Sequence, residues 1–353
     1  MGERGLSRDG GPSTVKGVSM KTILTLGFAL LAATGSANAN DTMAELKTGG
    51  LVYVQSPDVV MAEEDLFISP TKVTVDYVFR NQGDKDVETI VAFPMPDIVG
   101  GMNSNISIPF VDEDNFLGFT VTQDGEPIEP ELQQRVISQA GVDLTDELVS
   151  RGVPLLPFSD ATAAAMEKLP REVLDDWITR GLIITDEFDA GKGWESHPLP
   201  IWTLRTVYWW KTTFPAGKEV RVHHEYAPSV GATTAISFIY DGQPNEPYLS
   251  DYKSRFCMDD SFVKLATKLE KAGRAETGPY FMENWISYVL TTGANWAGAI
   301  EKFRLTIDKG AAANYVSFCG EGVKKTGPTT FEMTATDFTP SKDIDILLLL
   351  PIE

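Results

Sequence analysis

Between residues 49 and 119, apolar and polar positions alternate with a period of two, the pattern of strands that bury one face. Residues 51–54 are β-rich after a glycine pair. Residues 72–80 read KVTVDYVFR, with Val73, Val75, Tyr77 and Phe79 on one side. Asn81-Gln82-Gly83-Asp84 predicts a turn. A strand over 87–93 should stop at Pro94 and Pro96. A further strand is expected over 116–122, and Asp124-Gly125 is a two-residue hairpin signal. From about 130 to 190 the spacing changes. Residues 130–137 and 144–149 read as short helices. Ser159-Asp160 can cap a helix over 161–168, and Pro170 suits the start of the next one. In that helix Leu169, Val173 and Trp177, with Leu174 and Ile178, recur at i, i+4, and Gly181 can stop it. Strands resume over 203–214, 219–226 and 235–240. In 219–226, Val220, Val222, His224 and Tyr226 share one side. After about 250 a helix is expected over 260–272. Short strands should follow over 285–290, 303–307, 315–318, 331–336 and 344–350.

The pattern predicts a mainly β chain with a helical insertion: two β-sandwich-like units, α+β overall. The expected organisation is an upstream extension and signal peptide over 1–39, and a β-sandwich over 40–250 that carries the insertion at 130–190. A C-terminal β-rich unit with one helix should occupy 251–353.

Composition changes this picture in three ways. The 353 residues carry 30 Lys+Arg against 50 Asp+Glu, a formal charge of −20, which excludes the basic face that nucleic-acid binding needs. Residues 20–39 read MKTILTLGFALLAATGSANA: a basic Lys21, an apolar run over 23–33, and Ala37-x-Ala39 as a small-x-small cleavage site. The expected address is therefore periplasmic or secreted through a Sec-type signal peptide, with cleavage after Ala39. The removed part carries four bases and two acids, so the mature chain would have a charge of −22. No other stretch is apolar for long enough to suggest an integral membrane segment in the mature chain. Finally, Cys257 and Cys319 both lie in the exported part, where an oxidising compartment favours a disulfide.

Several segments together carry a resemblance. They are Gly49-Gly50-Leu51, the MAEEDL segment at 61–66, 75–81 leading to VAFPMP at 91–96, FPAG at 214–217, HEYAPSV at 224–230, and 288–296. In their order and spacing the chain resembles the secreted bacterial family called domain of unknown function 4424, over essentially all of 40–353. That family implies no catalytic residues. Residues 73–128 are also similar to the vault/inter-alpha-trypsin type of β-sandwich, whose modules are mostly interaction or scaffold parts.

Candidate chemistry is sparse. His224-Glu225 lacks the second His of an HExxH zinc motif, because position 228 is Pro. His223 and Glu225 share a strand face and could offer two metal ligands. The alternative is that one of His223 and His224 is packed inside while the other is solvated. The acid clusters Glu63-Glu64-Asp65, Asp112-Glu113-Asp114 and Asp259-Asp260 read as solvated turns or helix caps. No GxSxG, Walker A, GxGxxG or CxxC motif is present in the sequence. Trp194, Trp202 and Trp210 are the binding candidates, because large aromatics anchor interfaces and stack on sugars. On the 203–214 strand, Val207 and Trp209 face one way and Tyr208 and Trp210 the other. The β-branched Val207 points to Trp209 as the core residue and Trp210 as the outward one. The expected function is an exported, non-enzymatic binding or scaffold protein that uses no cofactor and meets an envelope protein or glycan partner. The alternative is an envelope enzyme or glycan-binding protein built on the Trp-rich 194–210 region.

Overall fold

The computed structural model describes residues 40–352 apart from 48, 49, 103, 190, 192, 276 and 277. The signal-peptide features lie outside the described residues.

Three antiparallel-rich sheets surround one core. In the first, the strands run 131–137, 203–214, 87–94, 42–47, 50–54 in spatial order, and 98–99 also pairs with 203–214. The second has eight strands in the order 324–325, 330–338, 300–308, 59–68, 73–81, 219–226, 120–123, 126–128. The third runs 315–318, 344–352, 280–288, 230–233, 106–107. Val91 and Phe93 of the first sheet, Val75, Phe79 and Val222 of the second, and Ile286 and Ile346 of the third belong to the same buried cluster. The 344–352 strand is buried on both faces. Ile344, Ile346 and Leu348 enter the main core. Leu347 and Leu349 enter a second core against the helix Asp260–Gly273. This explains its near-continuous apolar sequence, which shows no alternation.

The boundary expected near residue 250 is not where the sheets divide. The described residues from 40 to 352 fall in one compact unit. The 300–308 strand lies parallel to 59–68, with Leu305 opposite Leu66, so the C-terminal third completes the sheet that the N-terminal third begins. The segment 73–128 is likewise not self-standing: 73–81 and 120–123 belong to the second sheet and 87–94 to the first.

The insertion is also less helical than expected. Residues 131–137 form a strand, with Leu132 opposite Tyr208 and Val136 opposite Leu204. Seven residues rich in Gln and Glu suit either state locally, and the ladder offered by a long neighbouring strand decides it. Three short helices do follow, Thr145–Ser150, Asp160–Met166 and Arg171–Thr179. Ser159 caps the second by accepting from the Thr162 N–H. Gly181, at φ 69°, ends the third, where a side chain would be strained. A hairpin of Ile183–Asp189 with Trp194–Pro200 comes next. Trp177, Met166, Leu148 and Trp202 make a separate small core for the insertion. Between residues 235 and 240 only Ile239–Tyr240 is strand.

The strand Val59–Ile68 corrects another expectation. Its Glu63-Glu64-Asp65 segment is not a solvated turn. A register shift between Met61 and Glu63 resets the alternation, so Glu64, Leu66 and Ile68 all point inward. Glu63 and Asp65 face outward and pair with Lys302 (2.7 Å) and Arg304 across the parallel ladder.

Candidate functional site

The residues nominated by sequence do not converge. Trp194 is exposed on the 194–200 strand, but Trp202 and Trp210 are buried, so no three-indole platform exists. Trp202 donates to the Leu155 carbonyl at 2.8 Å inside the insertion core. Trp210 faces the sandwich interior edge-on to His224, with ring centroids 5.4 Å apart, whereas Trp209 is half-buried on the other face. The expected assignment of the two indoles is therefore reversed. The phase of this strand is set by Leu204, Thr206, Tyr208 and Trp210 together, all buried, and Val207 alone was a poor guide. His223 and Glu225 also fail as a metal pair. His223 lies 2.8 Å from Asp76 and Glu225 lies 2.7 Å from Lys72. No cluster of three metal-ligating side chains occurs among the described residues. Asp259 caps the 260–273 helix by accepting from the Phe262 N–H. Cys257 and Cys319 are bonded, with their Cα atoms 5.0 Å apart.

One polar assembly lies in the middle of the core, and no sequence motif announces it. His224 Nε2 and Asp41 Oδ1 are 3.0 Å apart, and both side chains are wholly buried. Asn40 Nδ2 donates to both Glu64 carboxylate oxygens at 3.2 Å. Tyr77 donates to Asn40 Oδ1 and its hydroxyl lies 3.2 Å from that of Tyr288. Burial pushes the Glu64 carboxyl up to about 8, against the Asn40 hydrogen bond and helped by the Asp41 charge. Burial also raises Asp41, with His224 opposing. The assembly is closed to solvent, so it can position backbone and hold protons but cannot receive a substrate. Alternation in 73–81 and 219–226 already placed Tyr77 and His224 inward. Nothing in the sequence could show that Asn40 and Glu64 meet them.

Several concave regions reach the surface among the described residues, and two of them lie beside the insertion and beside the third sheet. The wider, about 680 Å³, lies between the insertion and the 111–116 loop. Leu132, Phe116 and Leu156 line it, and the exposed acids Asp112, Glu113 and Asp114 form its rim. The smaller, about 320 Å³, lies where the first and third sheets meet, and polar groups converge there. Asp97 follows Pro94-Met95-Pro96, which end the 87–94 strand. Its Oδ2 accepts from Arg205 Nε at 3.3 Å, while its buried Oδ1 has no partner among the described residues. Burial raises the Asp97 carboxyl, and Arg205 counters this. Trp285 and Ser287 share one face of the 280–288 strand. Arg255 ends the helix Tyr248–Arg255. Its Nη2 reaches Asp345 at 2.8 Å and Ser287 at 3.3 Å and the guanidinium lies 5.0 Å from the Phe256 ring centroid, while Nε and Nη1 make no hydrogen bond among the described residues. Gly231 sits opposite Trp285 in the ladder, and a Cβ there would lie 1.8 Å from Trp285 Nε1. The indole therefore occupies the place of a side chain. Ser104, Asn105 and Ser229 complete the lining with small hydrogen-bonding groups. Sequence reasoning missed this pocket because its parts come from four distant segments.

No curated protein is significantly similar to the chain. Among solved structures, a Legionella pneumophila protein with a provisional nutrient-binding description aligns at 17% identity and a TM-score of 0.44, covering 88% of this chain and 70% of its own. A zinc metallopeptidase of Deinococcus radiodurans aligns at 8% identity and a TM-score of 0.24, covering 84% of this chain and 43% of its own. The profile of the family described as domain of unknown function (DUF4424) matches residues 39–347, and the chain belongs to that family.

Proposed function

We propose that this protein is an exported, non-enzymatic binding protein whose ligand is a small zwitterionic molecule held in the pocket between Asp97, Arg255 and Trp285. The observation that carries this reading is the pairing of opposite, incompletely used charges in one pocket. The free edge of the Arg255 guanidinium suits a carboxylate, and the carboxylate of Asp97, a quarter exposed, suits an ammonium group. Trp285 supplies an apolar wall, and the serines offer donors and acceptors. About 320 Å³ suits a molecule the size of an amino acid or dipeptide and is too small for a folded partner. A binding role fits the separation of these groups from the buried His224–Asp41 pair, which no ligand can reach. Export is supported by Lys21, the apolar run over 23–33 and the Ala37-x-Ala39 site, and by a disulfide that an oxidising compartment would maintain.

Calorimetric titration with free amino acids and dipeptides tests the reading. Binding of one class is expected, with at least tenfold loss in Arg255→Gln and in Asp97→Asn. If no zwitterion binds, or if both variants bind as the parent does, the assignment is wrong. N-terminal sequencing of protein from the native host should begin at Asn40.

A further inference from the structure

Chain termini usually fray unless they are tied down, yet the residue expected to begin the mature chain is anchored in the core. Asn40 and Asp41 are wholly buried. The Asn40 carbonyl accepts from Thr292 Oγ1 at 2.8 Å, and the Asp41 carbonyl from Trp296 Nε1 at 2.6 Å. The Asn40 amide bridges Tyr77 and Glu64. Asp41 and Glu64 thus bring two carboxyl groups into a water-free site. The titratable groups facing them are His224 and Tyr226 from the 219–226 strand, Tyr77 from 73–81 and Tyr288 from 280–288. Among the described residues no Lys or Arg touches either acid, and the single basic side chain, His224, reaches Asp41 and not Glu64. Asp41 Oδ2 also lacks a hydrogen-bond partner among the described residues.

We propose that cleavage after Ala39 supplies the missing cation: the new α-ammonium of Asn40 docks on the buried Asp41–Glu64 pair and completes the core. The α-nitrogen is four bonds from Asn40 Nδ2, which already touches Glu64, so it lies within roughly 8 Å of that carboxylate. Before cleavage the same nitrogen is an uncharged amide. Leader removal then does more than release the protein: it gives the unpaired acid in the core a cationic partner. The inference rests on the export reading above and is independent of the Asp97–Arg255 pocket.

The test compares two proteins exported behind the native leader. One is authentic; the other carries an Ala-Ser pair inserted between Ala39 and Asn40, so that its amine is displaced. Mass spectrometry establishes both N termini. Without the ammonium, Glu64 keeps its proton in the folded state up to about pH 8, while the unfolded chain releases it near the ordinary 4.5. The folded state then binds more protons across that window, so stability falls as pH rises through it. The extended protein should show this fall, and the authentic one should not. Near pH 8 their unfolding constants should differ by at least about tenfold, one pKa unit of interaction. Glu64→Gln should erase the difference. As a second readout, an amine-acylating reagent should modify Asn40 slowly in the folded authentic protein and quickly in urea. Superimposable pH profiles, or native acylation as fast as in urea, with the N terminus verified at Asn40, would overturn the docking and leave export standing. A mature N terminus elsewhere overturns both.

Discussion

Replacing Trp210 by alanine removes a nearly wholly buried indole from the seam between the first and second sheets. The ring packs edge-on to His224, beside Phe93 and Phe119, which also contact that imidazole at 4.8 and 5.1 Å. The change deletes roughly 140 Å³ of side chain; at about 24 cal/mol per Å³ of unfilled cavity that is ~3 kcal/mol, before the lost transfer energy is added. Neighbouring strands are tied by ladders on both sides and can close only part of the void, so the expected cost is about 3–5 kcal/mol. Trp209→Ala, on the half-buried opposite face, should cost about 1 kcal/mol. Trp210→Phe is a useful intermediate. The indole N–H of Trp210 has no hydrogen-bond partner among the described residues, so phenylalanine gives up volume but no hydrogen bond, and about 1–2 kcal/mol is expected. Urea melts followed by far-UV circular dichroism measure all three without relying on tryptophan emission. If Trp209→Ala proves the more destabilising, the strand's phase is opposite to that described and the core argument fails with it.

Opening the Cys257–Cys319 bond frees a loop of 62 residues, and the paired serine variant should lose about 4 kcal/mol in denaturant titrations; a loss below 1 kcal/mol would mean the second core holds without it. Glu147 accepts from Arg180 at 2.6 Å and from Trp177 Nε1 at 2.8 Å, and these contacts, Arg180 first, hold its carboxyl down to about 2. A depressed acid stabilises the fold above its unfolded value and loses that contribution as pH falls, so the insertion should loosen between about pH 4.5 and 2. Because the pair is partly solvated, Glu147→Gln should cost only about 1 kcal/mol at pH 7 and should flatten that acid limb, as read by Trp177 fluorescence. Gly231→Ala drives a methyl group into the Trp285 ring, so amino-acid binding should drop at least tenfold while the chain remains folded; unchanged binding would remove Trp285 from the pocket.

How much of this was legible in the sequence depends on the range of the interaction that decides each element. The strands 73–81, 203–214 and 219–226, the Asp124-Gly125 hairpin and the Ser159 and Asp259 caps follow from local periodicity or a single side chain, and sequence finds them. Residues 131–137 and 59–68 do not, because their state is set by ladders with partners far along the chain. A bulge hid the second of these: it breaks the alternation inside an acidic run, so Glu64 resembled its solvated neighbours. The disulfide was expected from two cysteines and the expectation of export alone. The zwitterion pocket joins Asp97, Ser229, Arg255 and Trp285, and no spacing along the chain announces that meeting. Trp202 and Trp210 turned out buried, and only Trp194 exposed, for the converse reason. Abundance of indoles in 194–210 is a local fact, but exposure is a property of the finished sheet.

The parallel pairing of 59–68 with 300–308 has a kinetic consequence. Lys302 and Glu63 stand 239 residues apart, yet they are neighbours across this ladder. Until residue 308 is available, the 59–68 strand has an open edge, and its outward Glu63 and Asp65 lack the cations that face them in the finished sheet. A nascent chain therefore cannot close its largest sheet during synthesis. Contacts of such long sequence separation slow folding, because loop entropy must be lost before the ladder gives anything back. That delay is compatible with the export proposed above, in which the chain would cross the membrane unfolded. It also means that a fragment ending before residue 300 should collapse without acquiring the native sheet, however much of the N-terminal sequence it retains.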